Sequence, residues 1–310
     1  MFFTAMSFGA AENSIKDVWF ALTNSQMSDA ISIIRDIRLP REVAAIAVGA
    51  ALAVSGAIMQ GLTRNPLADP GLFGLTAGAN VALAITIALL PTANYFLTMI
   101  VCFIGATVGA VLVFGISSMK KGGFSSFHIV LAGAAVSSFL FAIAEGIGIY
   151  FKISKDISMW TAGGMIGTNW KQLQIITPFI LVGIILAIFL SKQLTILSLS
   201  EEVAVSLGQN IFTVKILLFI VIIVLSGASV ALVGNMTFIG LMIPHIVRTI
   251  VGTDYRYILP MAVIVGATFM LLADTIGRML NAPYETPVVA IISVIGLPFF
   301  LLIVRKGGFS

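Results

Sequence analysis

Charge is what this sequence has least of. Only 10% of its 310 residues are Asp, Glu, Lys or Arg, where soluble domains carry roughly a quarter. Apolar residues make up 59%, so the composition excludes an ordinary water-soluble core and indicates a membrane protein. Cysteine is nearly missing. Cys102 stands alone inside an apolar run, so no disulfide framework or CxxC motif can form and the redox compartment stays open. There is no GxxxxGK(S/T) phosphate loop, which excludes that mode of ATP binding. The two histidines, His128 and His245, are far apart and neither has a carboxylate at ligand spacing, which disfavours a metal site. No Ser/His/Asp triad or catalytic carboxylate pair stands out, so no enzymatic activity and no cofactor are expected. The net charge of +4 and pI near 9.3 fit membrane-flanking Lys and Arg, not a nucleic-acid surface.

Long apolar runs are what the chain does have. Windows of about 19 residues place spans at 41–63, 72–90, 97–117, 128–150, 173–191, 215–233, 236–251, 260–280 and 286–304. Before them, MFFTAMSFGA is apolar for about ten residues, roughly 15 Å of helix and half of the ~30 Å hydrocarbon core. It lacks a basic n-region, so it reads as the stub of a span and not as a signal peptide. In the first full span Ala45, Gly49, Ala53, Ala57 and Gly61 recur every four positions, a stripe that lets another helix approach closely. Gly105 and Gly109 repeat the device. The expected fold is all-α, a polytopic bundle forming one transmembrane domain over 1–310.

Orientation is less clear from charge alone. With the C-terminal RKGGFS inside, nine Lys and Arg fall inside and eight outside. Arg35, Arg38 and Arg41 are among the outside set and pull the count towards a tie. Glu12, Asp17, Asp29, Asp36, Glu42, Asp156 and Glu285 also fall outside. The inner face is thus the more cleanly basic one, which favours this orientation.

Three stretches carry polar groups worth following. Residues 191–215, SKQLTILSLSEEVAVSLGQNIFTVK, suit two short helices joined at Gly208. Such a segment is either a plain interfacial helix or a contact for a cytoplasmic partner. In GNMTFIGLMIPHIVRTIVGTDYRYILP, Pro244, His245 and Arg248 interrupt an apolar stretch. Glu145, Asp274 and Arg278 are ionisable groups within or near spans, where charge usually faces a cavity or a partner. Asp274 and Arg278 stand at i and i+4, so an ion pair is the simple reading. For Glu145 two readings stand, buried and protonated or lining a water-filled path.

Taken together and in order, these stretches resemble the FecCD-type permeases of ATP-driven importers for iron–siderophores, haem and cobalamin. The resemblance rests on RLPR at 38–41, GAALAVSGAIMQ at 49–60, NPLADPGLFG at 65–74 and LAG at 131–133. It continues through W-x-x-GG at 160–164, EEVAVSLG at 201–208, FIGLMIPHIVR at 238–248, LLADTIGR at 271–278, and E-x-P with G-x-PFF at 285–300. It implies about ten spans, of which MFFTAMSFGA matches only the outer end of the first. Both termini would lie inside, in the cytoplasmic membrane of a bacterium. The implied partners are two ATP-binding cassette ATPase subunits, an extracytoplasmic substrate-binding protein and a second permease subunit, either a copy or a paralogue. By the same resemblance, segment 191–215 is the cytoplasmic coupling segment, with Glu201, Glu202, Ala204, Leu207 and Gly208 meeting the ATPase. Ser125 and Ser126 would form the cytoplasmic gate, and Arg38, Arg41 and Arg278 would meet acidic residues of the binding protein. The competing class is a secondary transporter coupled to ions through Glu145 or Asp274.

Overall fold

The computed structural model describes residues 2–7, 15–23, 29–118, 126–161, 164–165, 167–281 and 284–305. In chain order the helices are α1 (Phe2–Ser7), α2 (Ile15–Thr23), α3 (Asp29–Ile33), α4 (Leu39–Thr63), α5 (Leu75–Leu89), α6 (Tyr95–Ser118) and α7 (Ser126–Tyr150). They continue as α8 (Ser154–Thr161), α9 (Trp170–Phe189), α10 (Ser191–Leu199), α11 (Glu201–Ser206) and α12 (Ile211–Val233). The last are α13 (Ile239–Val251), α14 (Tyr255–Met279) and α15 (Val288–Arg305). Among the described residues, six helices are long and apolar enough to cross a membrane and three shorter apolar ones accompany them. These correspond to the nine expected spans.

α4 is the axis of the bundle. It touches α9, α10, α12, α13 and α14, and nearly every residue from Pro40 to Thr63 is buried. Its small-residue stripe explains how five helices can crowd one. A Cβ on Gly49 would collide with the Gly266 carbonyl of α14, and one on Gly56 with the Gly240 backbone of α13. Backbone meets backbone at both crossings, which only glycine permits. Gly105 and Gly109 of α6 bring the same close approach to Gly78 and Gly74.

The start of α4 is irregular for a covalent reason. Pro40 has no N–H, and its ring disfavours the normal turn before it. The chain widens over Ile34–Arg38 into one π turn, with Leu39 N–H donating to Ile34 O. This turn re-aims Arg38 and Arg41 relative to an uninterrupted helix.

NPLADPG, between the first two full spans, is a re-entrant segment. Asp69, Pro70 and Gly71 line a void of about 10 Å³ together with Leu52, Thr76, Ser226 and Gly240. Leu52 stands eleven residues before Thr63, roughly 17 Å back from that end of α4. Irregular backbone at such depth must be enclosed by protein and hydrogen-bonded within it. Here the Asp69 side chain accepts from Gly71 N–H at 2.7 Å, and Ala68 N–H donates to Asn65 O at 3.1 Å. Because the turn climbs back into the bundle, α5 needs only 15 residues to complete the crossing.

The segment 191–215 departs from expectation. Its two short helices break at Ser200, not at Gly208. Ser200 is extended (φ −164, ψ 159) and its side chain accepts from Val203 N–H, an N-cap that starts α11. Glu201 and Glu202 then occupy the first turn, where the helix dipole favours carboxylates. Gly208, at φ +77, ends α11 and turns the chain into α12.

Candidate functional site

The residues singled out by sequence gather at opposite ends of α4, whose 25 residues separate them by about 37 Å. At the Leu39 end, Arg41 donates from Nε to Asp274 Oδ1 (3.0 Å) and Oδ2 (3.1 Å) and from Nη2 to Oδ1 (2.8 Å). Its Nη1 donates to both oxygens of Glu285, at 2.9 and 2.8 Å. Arg278 pairs with Asp274 at 3.0 Å on its own helix and with Glu42 on α4. The polypeptide of α1 supplies further acceptors: Ala5 O for Arg278 (3.2 Å) and Met6 O for Arg38 (2.6 Å).

Arg41 and Arg278 thus pair with three carboxylates, and Arg38, donating to the Met6 carbonyl, brings the six-residue cluster to no net charge. This balance is what allows the cluster to be buried. Arg38 and Arg41 are 7% exposed, Arg278 is 4%, and Glu42 and Asp274 are closed off entirely. Glu285, with 32% of its side chain exposed, is the most accessible carboxylate of the six-residue cluster. Sequence spacing pointed to the Asp274–Arg278 pair. It missed Glu42 and Glu285 as partners, since nothing in local spacing brings α4 to α14.

At the other end, Glu201 receives Lys215 Nζ at 2.9 Å and lies 3.4 Å from Arg64, the residue that follows α4. Thr195 of α10 donates to Asp254 Oδ1 at 3.1 Å and accepts from Tyr255 N–H at 3.0 Å. These contacts tie the short helices to α4, α12 and α14. Ala204 is fully buried beneath α11, so it anchors the helix. The outward face presents Glu202 with Val203, Val205 and Leu207, and Leu199 stands nearby. Leu207 is 64% exposed and Leu199 68%. Sequence reasoning passed over Leu199, Val203 and Val205; α10 and α11 are too short for a pattern to assign their faces.

Of the expected gate, Ser125 lies outside the described residues and Ser126 is the first residue of α7. Asp274, fully buried between two arginines, is poorly placed to exchange a proton with a pathway. Glu145 lines a pocket on the outside of α7.

Comparison with known proteins settles what kind of molecule carries these features. Residues 1–306 match the FecCD transport family. The chain belongs to that family. It is 43% identical over 305 residues to the iron(3+)-hydroxamate import system permease protein FhuB of Bacillus subtilis, covering 98% of this chain and 79% of that one. It is 38% identical to the hemin transport system permease protein HmuU of Yersinia pestis, covering 96% and 90%. A solved metal-chelate-type ABC transporter in an inward-facing conformation superposes with a TM-score of 0.84 at 28% identity, covering 98% and 95%. As a FecCD permease, the chain is a multi-pass subunit of an ATP-driven importer in the bacterial cytoplasmic membrane. It forms the pathway and catalyses no bond change.

Proposed function

We propose that this permease carries an iron chelate, with a ferric siderophore as the leading cargo. A binding protein would deliver it at the Arg38 end, and two ATPase subunits would drive transport from the α10–α11 end. A second permease chain, a copy or a paralogue, completes the pathway. One observation carries the assignment of the driven end. Leu199, Val203, Val205 and Leu207 form an apolar, solvent-facing rim beside Glu202, on short helices whose Glu201 is ion-paired to the end of the central α4. An apolar rim with a charged edge is suited to insertion into a cleft of a partner. The Arg64–Glu201–Lys215 ties would pass its displacement to α4 and α12. Closure of the ATPase pair then tilts the spans as rigid bodies, and cargo leaves past Ser125 and Ser126.

At the other end, docking proceeds by exchange. Arg38, Arg41 and Arg278 are already satisfied within the chain, so an acidic side chain of the binding protein must replace a carboxylate the cluster holds. Glu285, solvent-accessible and bound among the described residues to Arg41 alone, is the one displaced. Two measurements test this reading. Proteoliposomes holding the permease and its ATPase should take up iron-labelled siderophore only when loaded binding protein is outside; uptake without it contradicts the reading. Glu285→Gln should tighten binding-protein docking, because Arg41 then has a weaker internal partner; weaker docking contradicts exchange.

A further inference from the structure

A pocket on α7 is built from helices other than those that form the two clusters at the ends of α4. It has a volume of about 380 Å³ and is lined by Asn80 of α5, by Phe141, Ala144, Glu145 and Gly148 of α7, and by Ser154, Ile157, Ser158 and Thr161 of α8. Five of these nine side chains are polar. Another sizeable pocket, about 270 Å³ between α9 and α12, is lined only by apolar side chains and glycine, as a surface facing lipid tails would be. The two differ in kind.

The polar pocket is built, not incidental. After α7 the chain reverses through Lys152 at φ +61, and Ile153 N–H donates to Gly148 O at 2.9 Å. This lays α8 back along α7 so closely that a Cβ on Gly148 would sit 3.1 Å from Ser154 Oγ and 3.2 Å from Ile157 Cδ1. Thr161 Oγ1 donates to Ile157 O (2.7 Å) and lies 3.3 Å from Asn80 Oδ1, which links the floor of the pocket to α5. α7 turns Ile129, Val136, Leu140 and Ala144 into the bundle, and Glu145 stands on the opposite, exposed side.

Glu145 lies five residues before the end of α7, about 7 Å inside that end. The remainder of the exposed side of α7 is mainly apolar, with Phe139 and Ile149 each 67% exposed, and a carboxylate is costly against lipid, so Glu145 belongs to the polar pocket and not to that apolar surface. Among the described residues no hydrogen bond or ion pair reaches it. Lys152 and Lys155 are close in sequence, yet no described ion pair ties either to Glu145. The pocket thus offers an unused acceptor charge beside amide and hydroxyl groups. Such a set receives N–H, O–H or ammonium donors and repels anions.

We propose that this pocket is a cargo-contact site that selects the charge of the chelate, admitting the donor-bearing rim of neutral or cationic ferric chelates and disfavouring anionic ones. The inference rests on the iron-chelate reading above. Iron(III) held by three hydroxamates has a neutral core, whereas iron(III) held by citrates or catecholates is anionic. Glu145 therefore separates the two groups by charge, while the hydroxyls hold the rim.

The test uses one ferric trihydroxamate in three forms: with a free amine, with that amine acetylated, and with it succinylated to leave a carboxylate. Uptake is measured in proteoliposomes holding the complete importer, with binding-protein affinity for each form measured separately. The wild-type complex, corrected for that affinity, should prefer the amine form to the succinylated one. Glu145→Gln should lower this preference about fivefold, the size of a partly exposed ion pair. Glu145→Asp should retain it and Glu145→Lys should reverse it. An unchanged preference in Glu145→Gln, or an equal loss of all three forms, overturns the proposal while ATP-dependent uptake of the wild type leaves the importer reading in place. No wild-type uptake of any form overturns the proposal, and absence of uptake of ferric citrate and ferric catecholate as well overturns the iron-chelate reading.

Discussion

Asp274→Asn is the substitution that most exposes the reasoning about the buried cluster. Asp274 is fully enclosed and binds two guanidinium groups, Arg41 at 2.8 Å and Arg278 at 3.0 Å. The amide keeps the shape and removes the charge. Arg41 retains Glu285 and Arg278 retains Glu42, so neither arginine is stranded, but three positive groups then face two carboxylates. Breaking a buried pair outright costs about 3–5 kcal/mol; with the surviving partners, a loss of about 2–4 kcal/mol is expected on the same basis. Glu285→Gln is the internal control. Its side chain is 32% exposed, and pairs near the surface contribute only about 0–1 kcal/mol. Denaturant unfolding in mixed micelles, read by tryptophan fluorescence, measures both. If Asp274→Asn falls within about 0.5 kcal/mol of wild type, the ordinary range for surface substitutions, the cluster does not hold α4 to α14 as argued. Removing both partners, as in Arg41→Met with Asp274→Leu, should be less damaging than the sum of the single changes, because the net charge stays balanced and Glu285, the carboxylate that loses Arg41, reaches solvent.

Other consequences follow from the same contacts. Gly56→Val places side-chain atoms where the Gly240 backbone lies, so it should cost about 1–3 kcal/mol or more and lower the yield of folded protein; a normal yield with unaltered stability contradicts the close crossing. Val205→Asp with Leu207→Asp alters two exposed residues, at 61% and 64%, so stability should hold while co-purification with the ATPase and coupled hydrolysis fall about tenfold or more, as for paired interface anchors. Intact coupling excludes the apolar rim as the contact. Asp254, which caps α14 and sits outside the spans, is held down at about 2 chiefly by the side-chain hydrogen bond from Arg256. Its unfolded value is about 3.9, so its contribution is fully present above pH ~4 and is lost as pH falls through about 2. The stability gap between wild type and Asp254→Ala should stay constant from pH 8 to 5 and narrow only below pH 4; a gap that closes near pH 6 contradicts this arrangement.

Much of the bundle was legible because membrane spans are written as long apolar windows, and the small-residue stripe of α4 announced its close crossings. What stayed hidden depended on three-dimensional neighbours. NPLADPG carries the same turn signals whether it lies at the surface or, as here, folds back beside Leu52 and Gly240. Arg41 and Glu42 are adjacent in sequence yet bind residues more than 230 positions away, so spacing could reveal only the Asp274–Arg278 pair. In EEVAVSLG, too short for a periodic pattern, Ala204 proved buried while Val205 and Leu207 face outward. Ser200 was readable in principle, as a serine directly before two glutamates, but Gly208 was the more conspicuous breaker. Arg38 and Arg41 disturbed the charge count for a physical reason: they are compensated within the protein, not free at a membrane edge.

On the reading proposed above, this chain conducts cargo on power received through α10 and α11. The decisive measurement is uptake of iron-labelled chelate by proteoliposomes containing the permease and its ATPase, with loaded binding protein outside and the proton and sodium gradients collapsed. Uptake should require ATP on the ATPase side and be unaffected by loss of the gradients. Uptake driven by an imposed ion gradient in vesicles lacking the ATPase subunit would contradict that reading.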